Sequence, residues 1–371
     1  MNRFNYLVFG AGRQGVAAVY DLAHRCEAAH ITLVDPDGEA RDRAKRRLAG
    51  IGLGDVRMLY LPHANTEIVQ EHDIALGCAP YSCNMDFTKM CLKAGVPFCD
   101  LGGNPNMVTE QEEYLKGITD KILVVPDCGI SPGISNVIVM EAAREGAKDI
   151  TVRCGGMPLR KPDVVENPLG YQIVFDPQGL VSEYSGDVPS IVDSKMEMVA
   201  ARSVVEEFDS RHECSPTSNN STQVVKYFLE KGIRNYNYMT IRYKGHFKTF
   251  ASFFRGVPEK NIIDYLNSTP CLQYDPSVDR DKLILEISAT NRDKPIIETH
   301  KWRFDIEACP RTKFTAMELG TSWGITTVAY YLAQNHQVMQ EYIEDFGCFA
   351  TPERIIPGSW LIKELNERLA Q

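Results

Sequence analysis

Three glycines near the N-terminus are spaced in a way that suits binding of a diphosphate. The run is Gly10-Ala11-Gly12-Arg13-Gln14-Gly15. Gly10 permits a tight turn, Gly12 lets the backbone approach phosphate oxygens, and Gly15 lets a helix pack closely on the preceding strand. The apolar run Tyr6–Phe9 precedes the loop and a helical pattern follows it, so the helix N-terminus faces the phosphate charge. This context predicts a dinucleotide site, whereas the glycine spacing alone would also fit a plain turn.

A carboxylate lies where such a site binds the adenosine ribose. Asp35 ends the second strand-like run, 20 residues after Gly15, and can accept hydrogen bonds from the ribose hydroxyls. A 2′-phosphate would meet negative charge there, so NAD is favoured over NADP. Arg41 and Arg43 lie further along the next helix and leave NADP as the less favoured alternative.

Two more strand ends are expected at the same crevice. The run Asp73–Cys78 leads into Ala79, Pro80 and Tyr81, and Val96–Leu101 carries Asp100 and leads into Gly102. Ligands of doubly wound sheets bind outside the carboxyl ends of the strands. We therefore predict that these residues line the cofactor or substrate site, although a simple turn remains the alternative at Gly102.

The elements that position these residues alternate between strand and helix over the first 125 residues or so. Further strand-like runs are Ile31–Val34, Val56–Leu59 and Lys121–Val125, and helices are expected at Gly15–Arg25, Glu39–Leu48 and Asn84–Ala94. Repeated βα units predict an α/β fold with a doubly wound parallel sheet of the Rossmann type.

From residue 150 the pattern changes to longer runs of β-forming residues. These are Ile150–Arg153, Met239–Tyr243, Leu283–Thr290 and Thr299–Ile306, and they predict a second α+β domain with a mostly antiparallel sheet. The polar stretch Asp209–Gln223 is predicted to be a loop or lid. The last helices are expected at Thr321–Gln334, Met339–Phe346 and Gly358–Leu369.

Composition excludes several classes of protein. A chain of 371 residues predicts two domains, and its net charge of −9 argues against partners such as nucleic acid or an anionic membrane surface. No secretory signal and no apolar run of membrane-spanning length is recognisable, which predicts a cytoplasmic protein. The eleven cysteines and eight histidines have no metal-binding spacing, so no metal site is expected.

Several motifs resemble those of the saccharopine dehydrogenase-like family, most closely its lysine 6-dehydrogenase branch. The motifs are Cys78–Ser82, Cys99–Gly103, Pro126–Gly133, Gly155–Pro158, Asn167–Tyr171, Thr240–His246, Ala316-Met317 and Pro352–Gly358. Together they extend the resemblance over essentially the whole chain.

The resemblance implies an architecture and a reaction. A Rossmann NAD-binding domain would span residues 1–128, a substrate and dimerisation domain 129–320, and C-terminal helices 321–371 would return to the first domain. Gly129 would add a cofactor contact, and the protein would be a homodimer. The reaction implied is NAD-dependent oxidation of L-lysine at the ε-carbon, which gives NADH, ammonia and 2-aminoadipate 6-semialdehyde, and the semialdehyde cyclises to piperideine-6-carboxylate.

An amino acid or imine substrate needs specific partners. Arg242 is predicted to bind the carboxylate as a bidentate donor, with a structural ion pair as the alternative. Asp127 is predicted to hold or deprotonate the amine, with a turn role nearly as well supported. His246 is predicted to relay a proton near neutral pH, or else to be structural. Tyr171 and Glu213 are weaker predicted substrate contacts, as is the crevice residue Tyr81 named above.

Three functions therefore remain open. The segment Glu213–Pro216 and the loop 217–222 differ from the usual lysine 6-dehydrogenase pattern, which leaves another amino acid, an imine or an opine-like adduct as the substrate. The first alternative is reductive condensation of an amine with a carbonyl compound, as in saccharopine- or carboxyspermidine-type dehydrogenases. The second is a catalytically silent NAD(H)-binding sensor.

Overall fold

The computed structural model describes residues 3–118, 122–276, 278–294 and 298–370, and the chain divides into two compact units. Unit 1 comprises residues 1–137 and 318–371, and unit 2 comprises residues 138–317. The sequence placed these boundaries at 128 and 320. Lys121, the predicted start of the sixth strand, lies outside the described residues.

The strands, numbered along the chain, are β1 Phe4–Phe9, β2 Ala28–Val34, β3 Arg57–Leu61, β4 Ile74–Gly77, β5 Phe98–Asp100, β6 Val124–Val125, β7 Asp149–Pro158, β8 Asp187–Val192, β9 Lys195–Ala200, β10 Glu206–Glu207, β11 His212–Pro216, β12 Asn235–Tyr243, β13 Asp281–Asn291 and β14 Glu298–Glu307. The helices are α1 Arg13–Arg25, α2 Gly38–Ile51, α3 Thr66–Gln70, α4 Asn84–Ala94, α5 Pro105–Leu115, α6 Ile134–Arg144, α7 Pro177–Glu183, α8 Thr222–Glu230, α9 His246–Phe253, α10 Glu259–Ser268, α11 Ala316–Gln334, α12 His336–Phe346, α13 Pro352–Ile355 and α14 Gly358–Leu369.

Unit 1 contains a six-stranded parallel sheet with the order β3-β2-β1-β4-β5-β6. The strands are short and largely buried, as expected where helices cover both faces of a parallel sheet. The strand order reverses between β1 and β4, and the crevice at such a switch point is where doubly wound folds bind ligands. The Rossmann-type fold predicted from the βα alternation is thus confirmed.

Unit 2 contains an eight-stranded mixed sheet. Six strands follow the order β10-β11-β12-β7-β13-β14, and β8 pairs with both β12 and β9. Every strand pair is antiparallel except β7 with β12. This confirms the second part of the predicted fold class, a second α+β domain with a mostly antiparallel sheet.

The prediction of a loop or lid at Asp209–Gln223 is wrong. Residues His212–Pro216 form β11, which pairs with β12 in the register His212 opposite Tyr243, and Thr222 begins α8. Ser221 caps that helix by accepting a hydrogen bond from the Val224 amide at 3.3 Å. Some polar side chains of this stretch have partners distant in the sequence, Thr217 with Thr240 and Asn220 with Tyr236, so local composition gave a misleading signal.

No helix within the described part of the chain is both long and apolar enough to cross a membrane.

Candidate functional site

The glycine loop between β1 and α1 has the close packing that the spacing predicts. A Cβ placed on Gly15 would lie 1.8 Å from the carbonyl oxygen of Gly10, and one on Gly10 would lie 2.7 Å from that of Cys78. Gly10 also has a φ of 102°, in the region that favours glycine. Larger residues at either position would therefore push the first helix away from the sheet.

The space beside Gly12 is open, since a Cβ there would meet no atom of the described residues within 4 Å. Gly12 is the N-cap of α1, whose first turn contains no acidic residue, and the first amides of any helix lack intrahelical partners. Arg13 begins α1 and Gln14 follows it. The loop thus fits a dinucleotide diphosphate, which needs open space, backbone donors and a helix start without acidic residues.

Asp35 follows β2 and braces the glycine loop. Its Oδ2 accepts a hydrogen bond from the Ala11 amide at 2.8 Å, and its Oδ1 accepts one from the Asp37 amide at 2.8 Å. Both oxygens are acceptors with further lone pairs. The carboxylate can therefore accept ribose hydroxyls while it fixes the loop.

Glu318 holds two arginines near the loop, and sequence reasoning missed it. Its buried carboxylate lies 2.9 Å from Nε of Arg13 and 3.0 Å from Nη2 of Arg47. Nothing in the local pattern of α11 indicated this role, because both partners lie about 300 residues away in the sequence.

Three buried carboxyl groups lie together near the ends of β5 and β6. Asp100 ends β5, Asp127 follows β6, and Glu353 belongs to α13. Burial raises the pKa of Asp100 to about 6. Burial, with repulsion from Asp100 and Glu353, raises the pKa of Asp127 to about 8. Burial also raises the pKa of Glu353.

The loop after β5 packs directly on Asp127. A Cβ on Gly102 would lie 1.9 Å from Oδ1 of Asp127, and Gly102 has a φ of 68°. Asp100 fixes this arrangement by accepting hydrogen bonds from the Gly102 amide at 2.7 Å and from Nε2 of Gln111 at 2.8 Å. Asp127 itself has a φ of 58°, a conformation uncommon for residues other than glycine. Such backbone conformations often occur at functional sites.

The remaining predicted residues of unit 1 lie at neighbouring strand ends. Ala79 and Pro80 follow β4, and Tyr81 begins a short 3₁₀ turn with 38% of its surface exposed. Gly129 follows Asp127 closely and accepts a hydrogen bond from the Ile134 amide at 3.0 Å. Glu353, which the sequence analysis did not single out, lies within the family-like segment Pro352–Gly358.

In unit 2 the structure brings together Arg242, Tyr171 and His246. The Arg242 guanidinium lies 4.9 Å from the ring centroid of Tyr171 and 5.6 Å from that of Tyr184. Its Nη2 lies 3.4 Å from Oε2 of Glu183. Arg242 is 1% exposed. Tyr184 and Glu183 were missed because only the fold brings the end of α7 against β12.

Glu183 and His246 have perturbed pKa values in this buried setting. Burial raises the pKa of Glu183, with Arg242 acting in the opposite direction. Burial and then Arg242 lower the pKa of His246 to about 3. The His246 Nδ1 lies 3.0 Å from the Leu169 carbonyl oxygen, which assigns the ring proton to Nδ1, and Nε2 lies 3.0 Å from the Tyr184 hydroxyl. His246 is therefore neutral at pH 7, which disagrees with the predicted relay titrating near that pH.

Glu213 caps a helix, a role the sequence analysis did not assign to it. Its Oε2 accepts a hydrogen bond from the Gly245 amide and its Oε1 one from the Phe247 amide, both at 2.9 Å. These donors belong to the start of α9, where a carboxylate also complements the helix dipole. Both carboxylate oxygens of Glu213 thus already accept hydrogen bonds from the backbone.

Comparison with known proteins places the chain in a family. Residues 6–127 match the family model of the saccharopine dehydrogenase NADP binding domain, and residues 129–349 match that of the saccharopine dehydrogenase C-terminal domain. The first match means that unit 1 binds a nicotinamide dinucleotide.

One curated relative is the saccharopine dehydrogenase [NADP(+), L-glutamate-forming] of Schizosaccharomyces pombe, 27% identical over 120 residues. The matched stretch covers 30% of this chain and 26% of that enzyme. A solved structure, the apo saccharopine dehydrogenase (L-Glu forming) from Saccharomyces cerevisiae, is similar with a TM-score of 0.70 and 14% identity. That similarity covers 99% of this chain and 98% of the yeast chain, and it shows a shared fold. The chain belongs to the saccharopine dehydrogenase family, whose enzymes are NAD(P)-dependent dehydrogenases acting on CH–NH groups.

Proposed function

We propose that this protein is an NAD-dependent amino-acid dehydrogenase that oxidises L-lysine at the ε-carbon. Its products would be NADH, ammonia and 2-aminoadipate 6-semialdehyde, which cyclises to piperideine-6-carboxylate. The observation that carries the proposal is Asp127, a buried carboxyl group with a pKa of about 8 near the strand ends of the dinucleotide-binding sheet. Perturbed groups of this kind are concentrated at functional sites.

The chemistry divides between the cofactor and the chain. The bound nicotinamide accepts the hydride, and the protein supplies orientation and proton transfer. An amine is oxidised from its unprotonated form, so a base must remove its ammonium proton. Asp127 suits this task, because a base is most effective when its pKa lies near the working pH. In our proposal Asp100 is a positioning residue, since it fixes the Gly102 loop that packs on Asp127.

The choice of NAD over NADP is also proposed, and it rests on the end of β2. The Asp35 carboxylate would repel a 2′-phosphate, and the nearby cations already have partners. Arg41 donates to the Asp35 carbonyl oxygen, and Arg43 lies 3.6 Å from Asp37 and 3.4 Å from Glu39. The name of the matching domain and the cofactor named for the Schizosaccharomyces pombe relative favour NADP instead. The local charge is the more direct observation for this chain.

Fluorescence titration with NADH and NADPH tests this choice. We expect NADH to bind at least about tenfold more tightly than NADPH, a difference of about 1.4 kcal/mol. The Asp35→Arg variant should reverse the preference, whereas Asp42→Asn, which removes an exposed carboxylate of α2, should leave it unchanged. Equal binding of the two cofactors by the unmodified protein, or unchanged selectivity in Asp35→Arg, contradicts the proposal.

Arg242 is proposed to bind the substrate carboxylate. Among the described residues its buried Nε has no hydrogen-bond partner, and its contact with Glu183 is long. An unsatisfied buried donor is costly, and an incoming carboxylate would satisfy it. Tyr171 covers one side of the guanidinium and would have to shift for a substrate to reach it.

Kinetics of Arg242→Gln, with Arg153→Gln as a control, test this role. Arg153 also pairs with a buried carboxylate in the sheet of unit 2, that of Glu286, at 3.9 Å. We expect the KM for lysine to rise strongly in Arg242→Gln while the KM for NAD stays within about twofold. A purely structural role predicts lower stability with an unchanged KM for lysine.

A spectrophotometric assay separates the proposed reaction from the first alternative. Lysine oxidation produces NADH from NAD, whereas reductive condensation consumes NADH when an amine and an oxo-acid or aldehyde are supplied together. Similarity to saccharopine dehydrogenases favours condensation as the second candidate. NADH consumption with those pairs and no NADH formation from lysine would identify it. Tight NADH binding without turnover in either direction would identify the sensor.

A homodimer assembled through unit 2 is part of the proposal. Exposed apolar side chains support it in the segment 198–205, where Met198, Val204 and Val205 are each about half exposed. Large exposed apolar groups close together often mark interaction surfaces. Sedimentation equilibrium should give twice the chain mass of 41.7 kDa, and Val204→Asp should shift it toward the monomer.

A further inference from the structure

Unit 2 contains a second group of polar side chains, separate from the Arg242 group, which consists of Arg242, Tyr171, Glu183, Tyr184 and His246. We call it the Lys282 cluster, and it consists of Lys282, His212, Asp209 and Tyr243. The Nζ of Lys282 lies 2.9 Å from Nε2 of His212 and 4.9 Å from the ring centroid of Tyr243. The Nδ1 of His212 lies 2.8 Å from both carboxylate oxygens of Asp209.

The hydrogen bonds fix where the protons lie. Because Asp209 accepts from Nδ1, the ring carries its proton there, and the lone pair of Nε2 faces Lys282. Tyr243 cannot turn away, since its hydroxyl donates to the carbonyl oxygens of Pro158 and Leu159, each at 2.9 Å. The lysine Nζ is therefore held between an aromatic ring and a neutral base.

The environment of Lys282 is unusual for a lysine. It is 9% exposed, and no carboxylate within the described part of the chain forms an ion pair with it. Nearly buried lysines are normally paired with a carboxylate. The more distant charges are of both signs and come from the neighbouring turn and strand: Arg211, Asp209, Asp305 and Glu307.

Burial and the Arg211 charge lower the pKa of Lys282, and burial lowers that of His212. Desolvated lysines become nucleophiles because more of the side chain is the free amine. A nucleophilic lysine also needs a base that takes its proton, and His212 lies in hydrogen-bond contact with the amine.

We propose that Lys282 is a nucleophilic site that forms an imine with small aldehydes. The inference does not depend on the proposed dehydrogenase activity. His212 takes a proton from the Lys282 ammonium, and the Nζ lone pair adds to the carbonyl carbon. His212 then gives that proton to the carbonyl oxygen. The resulting carbinolamine loses water to give a protonated C=N bond. One ammonium and one aldehyde thus yield one protonated imine and one water, with no oxidant or reductant.

Reductive trapping on the complete protein tests the site. The protein is treated briefly with propanal and sodium cyanoborohydride at pH 7, and propylated lysines are located by peptide mass spectrometry. Lys226 on α8, which is exposed, serves as the internal control. A lowered pKa leaves more of a lysine as the free amine at this pH. We expect Lys282 to be labelled several-fold faster than Lys226, because burial lowers its pKa and His212 can accept its proton.

Two variants separate the parts of the proposal. Lys282→Arg should lose the label at this position and leave that at Lys226 unchanged, which confirms the assignment of the peptide. His212→Gln should lower the labelling rate of Lys282 several-fold, because the base is gone. Labelling of Lys282 in the unmodified protein no faster than that of Lys226 overturns the proposal without needing any variant. Equal labelling in folded His212→Gln overturns the role of His212.

Discussion

Replacing Asp127 with asparagine should remove a pH dependence of stability from unit 1. The carboxyl ionises at 3.8 when exposed, and burial and its carboxylate neighbours raise its pKa to about 8 in the folded protein. Between these values the folded state binds more protons than the unfolded state, so stability falls as the pH rises and levels off above pH 8. From pH 5 to pH 9 the free energy of unfolding should fall by on the order of 4 kcal/mol, at about 1.36 kcal/mol per pKa unit.

Urea unfolding followed by tryptophan fluorescence measures this loss. Trp323 and Trp360 belong to unit 1, so a Trp302→Phe background gives a signal from that unit alone. Asparagine has the shape of the protonated carboxyl but cannot ionise. Between pH 5 and pH 9 the free energy of unfolding of Asp127→Asn should therefore fall by about 4 kcal/mol less than that of its parent. The surface control Asp42→Asn should show the same pH dependence as the parent. The same pH dependence in Asp127→Asn and its parent would refute our account of the buried carboxyl.

Three further predictions concern the glycine loop and the Arg242 group. Gly15→Ala should abolish NADH binding in a fluorescence titration, because the added Cβ would lie 1.8 Å from the Gly10 carbonyl oxygen; binding within twofold of the parent would contradict this. Arg242→Met should destabilise unit 2 by up to about 3 kcal/mol in urea, because it leaves the carboxylate of Glu183, whose side chain is 17% exposed, without its cationic partner, and adding Glu183→Gln should recover part of that loss. In nitrogen-detected NMR the His246 ring should stay neutral from pH 5 to pH 8, since its pKa is about 3; a midpoint near 6.5 would show that the ring is solvated.

Local signals predicted the elements around the glycine loop well. The strand, glycine loop and helix that are predicted to hold the diphosphate are contiguous, so the glycine spacing and its immediate context located them, and α4 has the bounds Asn84–Ala94 that the apolar pattern gave. Strand ends were predicted to within a few residues, as with β2, which extends from Ala28 to Val34 where Ile31–Val34 was expected. The spacing of apolar residues and the choice of turn-forming residues are local signals, so the sequence itself indicates where helices, strands and turns lie.

The charged interior could not be predicted in the same way. The sequence analysis did not single out Glu183 or Glu353, which the fold places beside Arg242 and Asp127 respectively. His212 lies in a polar stretch, yet it belongs to a strand because β11 pairs with β12, and its side chain contacts Lys282, 70 residues later. Whether a charged residue is buried depends on which distant group faces it, and spacing along one chain does not encode that.

Unit 1 is made from two segments that are separated by 180 residues of sequence, and this has a consequence for synthesis on the ribosome. Asp21 on α1 pairs with Arg368 on α14 at 3.0 Å, and the Val124 amide of β6 donates to the Cys348 carbonyl oxygen at 2.8 Å. A nascent chain carrying only residues 1–137 lacks both partners, while residues 138–317 emerge before the missing segment. Unit 1 must therefore stay partly assembled until residues 318–371 have been translated, and a chain that stops before residue 318 lacks the second segment of this unit.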